Sequence, residues 1–312
     1  MKVVVTSPFA WPHVRRGSER LLNDLALYLH QHGADVTVCA MAPDAGREDR
    51  DGVNYRFITE RWKLPWRQLN SCHYWAMALG HELADEEPDT VFCLNYFDAY
   101  AAIRARQRHR LTYRVCYLSV GIPTRRYFRA VPLDRWFFAT VLRDADEVIV
   151  LSRFAQRCLS EEFDRDTRVL PPPVNVDDFR ARDTTTTPRD GPTLLFVGDV
   201  GEPRKGAEVL CDAFARLKKL FPAAELVFAG NAPRQRQAQL RSRMGDAEMS
   251  AGVSFLGVGQ LGDLPSLYRQ ADVTVLPAVW EAFGLVLVES LAAGTPVVGA
   301  DHQLHARAPV AP

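Results

Sequence analysis

The sequence predicts an α/β protein of two doubly wound, parallel-sheet domains. Short β-type runs alternate with helix-length segments through both halves of the chain, the pattern of repeated strand–helix–strand units. One polar, breaker-rich stretch, Asp183-Thr-Thr-Thr-Thr-Pro-Arg-Asp-Gly-Pro192, separates the halves. The length of 312 residues lets each half bury a core of its own. The expected division is an N-terminal domain over 1–183, a linker over 184–192 and a C-terminal domain over 193–312.

The first domain opens on Met-Lys-Val-Val-Val-Thr, an apolar run too short for a signal peptide and suited to a strand at 2–6. A helix over 18–32 follows, then strands at 35–40 and 53–58, the first carried by Gly33-Ala-Asp-Val-Thr-Val38. Helix 69–86 leads to strand 90–94, helix 98–108 to strand 114–118, and helix 133–143 to strand 147–151. Helix 153–162 completes the set. In the second domain strands are expected at 193–197, 225–229, 253–256, 272–276 and 296–299. Helices are expected over 206–220, 233–244, 262–270 and 284–293. Asp-Val-Thr-Val-Leu closed by Pro277 reads as a strand entering a loop. Leu285, Val286, Val288, Leu291 and Ala292 then suit a buried helix, ended by Gly294 with Pro296 beyond.

Composition narrows the function classes. Apolar content of 47% and charge of 24% are those of a soluble globular protein. A formal net charge of zero gives nucleic-acid binding no electrostatic support. The six cysteines are scattered, without a C-x-x-C or a histidine pairing, and read as reduced core residues of a cytoplasmic protein. No stretch approaches the roughly 18 apolar residues of a membrane span.

In open α/β sheets ligands bind beyond the carboxyl ends of the strands, and the candidate residues stand there. Glu281 falls in the loop after strand 272–276, and Glu289 falls one to two turns inside the next helix. At roughly 1.5 Å per residue, Gly284 to Glu289 spans about 7.5 Å, the scale of a sugar or ribose ring. Backbone N–H groups of Phe283, Gly284 and Leu285 at the helix start suit hydroxyl or phosphate oxygens. For either glutamate alone, an ordinary cap or a solvated carboxylate is the alternative. Arg204 and Lys205, after strand 193–197 and before a helix, suit a diphosphate. Their alternative is a solvated basic pair beside Glu202.

The string Glu281-Ala-Phe-Gly-Leu-Val-Leu-Val-Glu289, followed by Ala-Ala-Gly-Thr-Pro-Val-Val, closely resembles glycosyltransferase family 4, retaining enzymes of the GT-B fold. The likeness runs along nearly the whole chain: Gly17-Ser-Glu-Arg20, Ala145-Asp-Glu-Val-Ile-Val-Leu-Ser152, Arg168 to Phe179, Leu195-Phe-Val-Gly198 and Glu202-Pro-Arg-Lys-Gly206. The last is similar to phosphatidylinositol mannosyltransferases. The resemblance implies two Rossmann-like domains facing a cleft and transfer of a hexose-type sugar from a nucleotide-sugar donor to an acceptor hydroxyl. It implies no metal and no cofactor. Glu281 and the Phe283-Gly284-Leu285 backbone would hold the donor sugar, Glu289 the ribose, and Arg204 and Lys205 the leaving diphosphate. Gly17 and Ser18 would approach the same diphosphate.

Departures from the family pattern are expected to matter. Asp199 stands where the family usually has an arginine, and a carboxylate there would repel a diphosphate. The fifth strand commonly ends in a histidine; here it reads Val115-Cys-Tyr-Leu-Ser119, leaving Ser119 or His13 as acceptor-side candidates. Asp144-Ala-Asp146 imitates a metal motif but precedes its strand, and reads as a helix end. Residues 101–130 hold eight arginines and no acidic residue. With Arg61 to Arg67 and Arg135-Trp-Phe-Phe138, they suit a phosphorylated acceptor or peripheral contact with an anionic membrane, or else a solvated face over core aromatics. The acceptor class stays open among lipid, glycan and small molecule. The tail from Ala300 shows no sixth strand or closing helices, so the second domain is expected to be incomplete. A truncated, non-catalytic nucleotide-sugar-binding remnant is therefore the alternative function, and an epimerase lacks its acid/base pair.

Overall fold

The computed structural model describes residues 1–10, 17–59, 70–179, 190–245, 250–257 and 264–300. His13, the Arg61–Arg67 segment, most of the expected linker and the tail from 301 lie outside these residues. The chain divides into two compact units, Met1–Pro173 and Val174–Pro312.

The first unit is built on an eight-stranded sheet in the order β3-β4-β2-β1-β5-β6-β7-β8. Its strands are β1 Lys2–Thr6, β2 Asp35–Ala42, β3 Gly46–Arg50, β4 Val53–Thr59, β5 Thr90–Cys93, β6 Arg114–Ser119, β7 Glu147–Val150 and β8 Arg168–Val169. The helices are α1 Gly17–Gln31, α2 Ser71–Glu86, α3 Tyr96–His109, α4 Arg125–Ala130, α5 Pro132–Asp144 and α6 Arg153–Phe163. Val3, Val4 and Val5 of the central strand are fully buried, because helices cover both faces of a parallel sheet and the strand is apolar throughout rather than alternating.

One edge departs from the parallel expectation. β3, Gly-Arg-Glu-Asp-Arg, pairs antiparallel with β4 through an Asp51-Gly52 turn, both residues in the left-handed region. It has no apolar residue to betray it, and its charges suit an exposed edge. The short helices at Arg125–Ala130 and Val176–Phe179 lie outside the elements the sequence predicts, as does a buried polar tie between helices. His73 of α2 meets Asp134 of α5 at 3.0 Å, and the Tyr96 hydroxyl of α3 donates to the same carboxylate at 2.8 Å.

The second unit has a five-stranded, wholly parallel sheet in the order β11-β10-β9-β12-β13. The strands are β9 Thr193–Val197, β10 Glu225–Ala229, β11 Val253–Leu256, β12 Val273–Leu276 and β13 Val297–Gly299. Its helices are α7 Val176–Phe179, α8 Ala207–Leu220, α9 Arg234–Met244, α10 Leu264–Gln270 and α11 Leu285–Ala292. The division between units falls ahead of residue 183, because Phe179 of α7 is buried with Leu195, Val197 and Tyr268 in the second core. All six cysteines are free. Burial pushes the Cys39 and Cys211 thiols up to about 12, so they behave as small apolar core residues.

Candidate functional site

Chain order reverses in the second sheet between β9 and β12, which lie side by side with Leu194 opposite Val273 and Leu195 opposite Thr274. Loops leaving the carboxyl ends of such neighbours run in opposite directions and leave a crevice. The loop after β9 carries a single 3₁₀ turn, Pro203–Lys205, then Gly206, then α8. The loop after β12 runs from Pro277 to Gly284, where α11 begins.

These two loops are fastened together. Val279 N–H donates to the Arg204 carbonyl at 2.9 Å, and Arg204 Nη1 donates to the Trp280 carbonyl at 3.0 Å. Gly206 sits at φ +75°, and a Cβ there would lie 2.3 Å from the Pro277 carbonyl oxygen. Only glycine satisfies both the backbone and the close approach. The sequence Arg-Lys-Gly thereby sets two cations against the β12 loop.

Glu281 receives them. Lys205 Nζ forms an ion pair with Glu281 Oε2, and Arg204 Nη1 approaches the same oxygen at 3.4 Å. Arg204 Nη2 also meets Glu202 at 2.7 Å. The side chains of Lys205 and Glu281 are only 17% and 14% exposed, so this pair is screened far less than one in open water. Arg204, by contrast, is 44% exposed.

Gly284 is the N-cap of α11, at φ +79° with no side-chain cap hydrogen bond. Phe283, Gly284 and Leu285 thus form the helix start beside Glu281, as expected. Glu289 lies in the second turn of α11 but is only 5% exposed, and Tyr268 of α10 donates its hydroxyl to Glu289 Oε2 at 2.7 Å. Ser290 and Thr295 extend this buried set: Ser290 Oγ donates to Thr274 Oγ1 at 2.8 Å, and Thr295 Oγ1 donates to the Tyr268 carbonyl at 2.7 Å. Tyr268 carries no motif signal; its one trace in the sequence is an aromatic inside an otherwise short amphipathic helix.

Asp199 is not a loose carboxylate facing the crevice. One of its oxygens accepts from Gly201 N–H at 2.7 Å and the other from Asn231 Nδ2 at 2.9 Å. It closes its own turn and ties the β9 loop to the β10 loop, a local role that aspartate fills well.

In the first unit, Gly17 starts α1, and Ser18 donates its hydroxyl to Glu19 Oε2 at 3.0 Å. Ser119 ends β6 but is 1% exposed; its hydroxyl accepts from Tyr117 at 3.1 Å and donates to the Gly121 carbonyl at 3.2 Å. That engagement leaves the Ser119 hydroxyl buried with both partners inside the first unit. His13 is not among the described residues. Asp144 and Asp146 are held by arginines: Asp144 takes both prongs of Arg143, and Asp146 pairs with Arg106 and accepts from Val115 N–H at 2.7 Å. Burial pulls the Asp146 carboxyl up, but the Val115 N–H and Arg106 outweigh it and hold it below its ordinary value.

Comparison with known proteins fits this architecture. The pattern described as Glycosyltransferase Family 4 matches residues 15–178, and that described as Glycosyl transferases group 1 matches residues 177–308. The phosphatidyl-myo-inositol mannosyltransferase of Mycobacterium tuberculosis is 38% identical over 170 residues, covering 53% of this chain and 44% of that protein. A D-inositol 3-phosphate glycosyltransferase of Geodermatophilus obscurus is 35% identical over 180 residues, covering 51% of this chain and 39% of that protein. The chain thus spans less than half the length of these curated relatives. Among solved structures, Anabaena HepE in complex with UDP and glucose superposes with a TM-score of 0.75 at 19% identity, covering 98% of this chain and 82% of that one. Sucrose-phosphate synthase from Thermosynechococcus elongatus gives 0.75 at 21% identity, covering 96% and 80%. At those identities the likeness establishes the fold, that of the GT-B glycosyltransferases. With one family pattern matching more than half of its length, the chain belongs to glycosyltransferase family 4.

Proposed function

We propose that the chain transfers a hexose-type sugar from a nucleotide-diphosphate donor to an acceptor hydroxyl, with retention of anomeric configuration and without a metal. The observation that carries this reading is the junction of Arg204, Lys205 and Glu281 at the β9–β12 switch point, beside the start of α11. In the free protein Glu281 partners Lys205. A donor's diphosphate oxygens replace it on Lys205 and Arg204, while the sugar hydroxyls take Glu281 and the Phe283-Gly284-Leu285 backbone. Glu289, steadied by Tyr268, accepts from the ribose hydroxyls.

The reaction breaks the bond from the anomeric carbon to the diphosphate oxygen and forms a bond to the acceptor oxygen on the same face. The acceptor proton passes to the departing diphosphate oxygen as that bond forms. Negative charge grows on the diphosphate, and fixed cations already aimed at it stabilise the transition state more than the ground state. Arg204 and Lys205 supply the positive charge this needs. No nucleophile is assigned.

The names of the relatives support a hexose donor and an acceptor of the lipid or glycan class, and HepE's complex supports a nucleotide-sugar donor. Among the described residues no helix is long and apolar enough to cross a membrane, and the expected site of action is cytoplasmic, at most peripheral to the inner membrane face. The test is donor consumption by the purified chain, with the anomeric configuration of the product read by proton NMR. Turnover with retention, lost in Lys205→Ala and Glu281→Ala, supports the proposal. Donor binding without turnover supports the non-catalytic reading instead.

A further inference from the structure

Helix α8 of the second unit presents two apolar faces, and only one of them is covered. Ala207, Leu210, Cys211 and Phe214 pack into the core and are at most 2% exposed. The outward face is not polar throughout, as the solvent side of an amphipathic helix usually is. Val209 and Leu220 lie on it at 59% and 75% exposure, and Phe221, the C-cap residue, is 50% exposed. Ala213 and Arg216 lie exposed between Val209 and Leu220.

Positions 209, 213, 216 and 220 follow the alternating four- and three-residue step of a seam between two packed helices. At roughly 1.5 Å per residue the seam is about 16.5 Å long. Charge is divided along it, with Glu208 and Asp212 in the first half and Arg216 and Lys219 in the second. A helix dipole favours charges of this order at the two ends, but it accounts for no apolar residue between them. α9 fixes the acids: Arg236 donates to Glu208 at 2.8 Å, and Arg243 donates to both oxygens of Asp212 at 2.7 Å. An ionised carboxylate has about four lone-pair sites, so each can accept from a further cation. Arg216 and Lys219 form no ion pair among the described residues.

Such a face is complementary to itself turned end for end. A two-fold axis across the middle of the seam sets Val209 against Leu220 of the second copy, with Phe221 beside it, and does so twice. It also sets Asp212 against Lys219 of the second copy twice, and the small Ala213 lets the two backbones approach at the centre. Parallel copies would place acid on acid and base on base, which is unfavourable.

We propose that α8 is the contact face of a two-fold homodimer, packed antiparallel on α8 of a second copy. One seam of this length lies at the small end of specific interfaces, so the expected dissociation constant is of the order of 10–100 µM. The inference goes beyond the donor reading and uses none of the residues placed at the sugar-nucleotide site, so either can fail without the other.

Sedimentation equilibrium of the whole chain, from about 1 to 300 µM, spans that constant on both sides. The parent should pass from monomer to dimer across the range. Leu220→Glu alters a side chain that is 75% exposed, so the core is untouched, and should weaken association at least ~30-fold. Asp212→Lys alone and Lys219→Asp alone each set like charges at both ends of the seam, and each should weaken it about tenfold. Asp212→Lys also releases Arg243, so the decisive sample is the equimolar mixture of these two variants. There each copy supplies the charge that the other lacks, and association should return to near the parent's. Circular dichroism and the thermal midpoint check that every variant is folded. A parent that stays monomeric throughout the range overturns the proposal. So does a dimer that Leu220→Glu leaves intact, a mixture that associates no better than its components, or growth beyond the dimer into open chains.

Discussion

Lys205 and Glu281 form an ion pair between the loops that follow two adjacent parallel strands, and both side chains are mostly withdrawn from water. Glu281 therefore occupies the ammonium group that a diphosphate would use. This predicts opposite effects on binding and turnover. In Glu281→Gln, Lys205 is released and free nucleoside diphosphate binds more tightly, by roughly three- to tenfold, for about 1 kcal/mol of competing interaction. Sugar transfer by the same variant is expected to fall by about 10²–10³ in kcat, because the group proposed to orient the sugar is lost. Titration calorimetry and steady-state kinetics on one preparation check both signs.

Gly206 is predicted to be the least replaceable glycine of the site. Gly206→Ala meets both a left-handed backbone and the Pro277 carbonyl, whereas Gly294, at φ +85°, has open space where a Cβ would stand. Gly294→Ala should cost only the backbone term, about 1–2 kcal/mol. Gly206→Ala should cost more and should weaken donor binding as the β12 loop moves. Urea unfolding of the two variants gives the difference directly.

Tyr268→Phe removes one hydroxyl from a buried pair and leaves Glu289 in place. The expected loss is about 1–3 kcal/mol of stability, the cost of an unmet buried acceptor. Nucleotide affinity should fall less than in Glu289→Gln, because the carboxylate proposed to hold the ribose remains. Equal losses in the two variants would mean that Tyr268, not Glu289, contacts the nucleotide.

Asp98 gives the fold a pH dependence. Its carboxyl is fully buried, with the Trp75 indole N–H and the Asn95 N–H donating to it, the latter at 3.1 Å. Burial pushes it up to about 8, while the bonds from Trp75, Asn95 and Thr6 pull it down. Folding therefore takes up a proton between the ordinary carboxylate value of 3.8 and about 8. The stability linked to Asp98 is complete below 3.8 and is lost as pH rises through about 8, with a limiting slope of ~1.4 kcal/mol per pH unit. Asp98→Asn should be less stable at pH 5 yet show a flatter profile across that window, measured by chemical denaturation at each pH.

The longer parallel strands could be read from sequence because each carries an apolar run bounded by breakers, whereas β8, the two residues Arg168–Val169, has no such run and could not. Both Val3-Val4-Val5 and Asp272 to Leu276 have that form. β3 could not be read, since an exposed edge is stabilised by its partner strand and not by apolar residues of its own. Of the site, Glu281, Arg204, Lys205 and the Gly284 helix start stand in one crevice, because local loop length and strand order already bring them there. What sequence withheld were partners distant along the chain. Tyr268 against Glu289 and Asn231 against Asp199 are tertiary choices. The Asp199 case shows the consequence: read alone it is a negative charge in an anion site, whereas in the fold its oxygens close a turn.

The central claim is that Lys205 and Arg204 form the diphosphate seat of a sugar-nucleotide site. Calorimetric titration of the chain with UDP- and GDP-linked hexoses, repeated on Lys205→Ala, tests it most directly. The account predicts saturable one-to-one binding of at least one donor, weakened about tenfold to a hundredfold by Lys205→Ala, for the ~1.5–3 kcal/mol of a charge-assisted hydrogen bond. Binding of a donor with the same affinity to both proteins, or no binding of any donor to the parent, would contradict it.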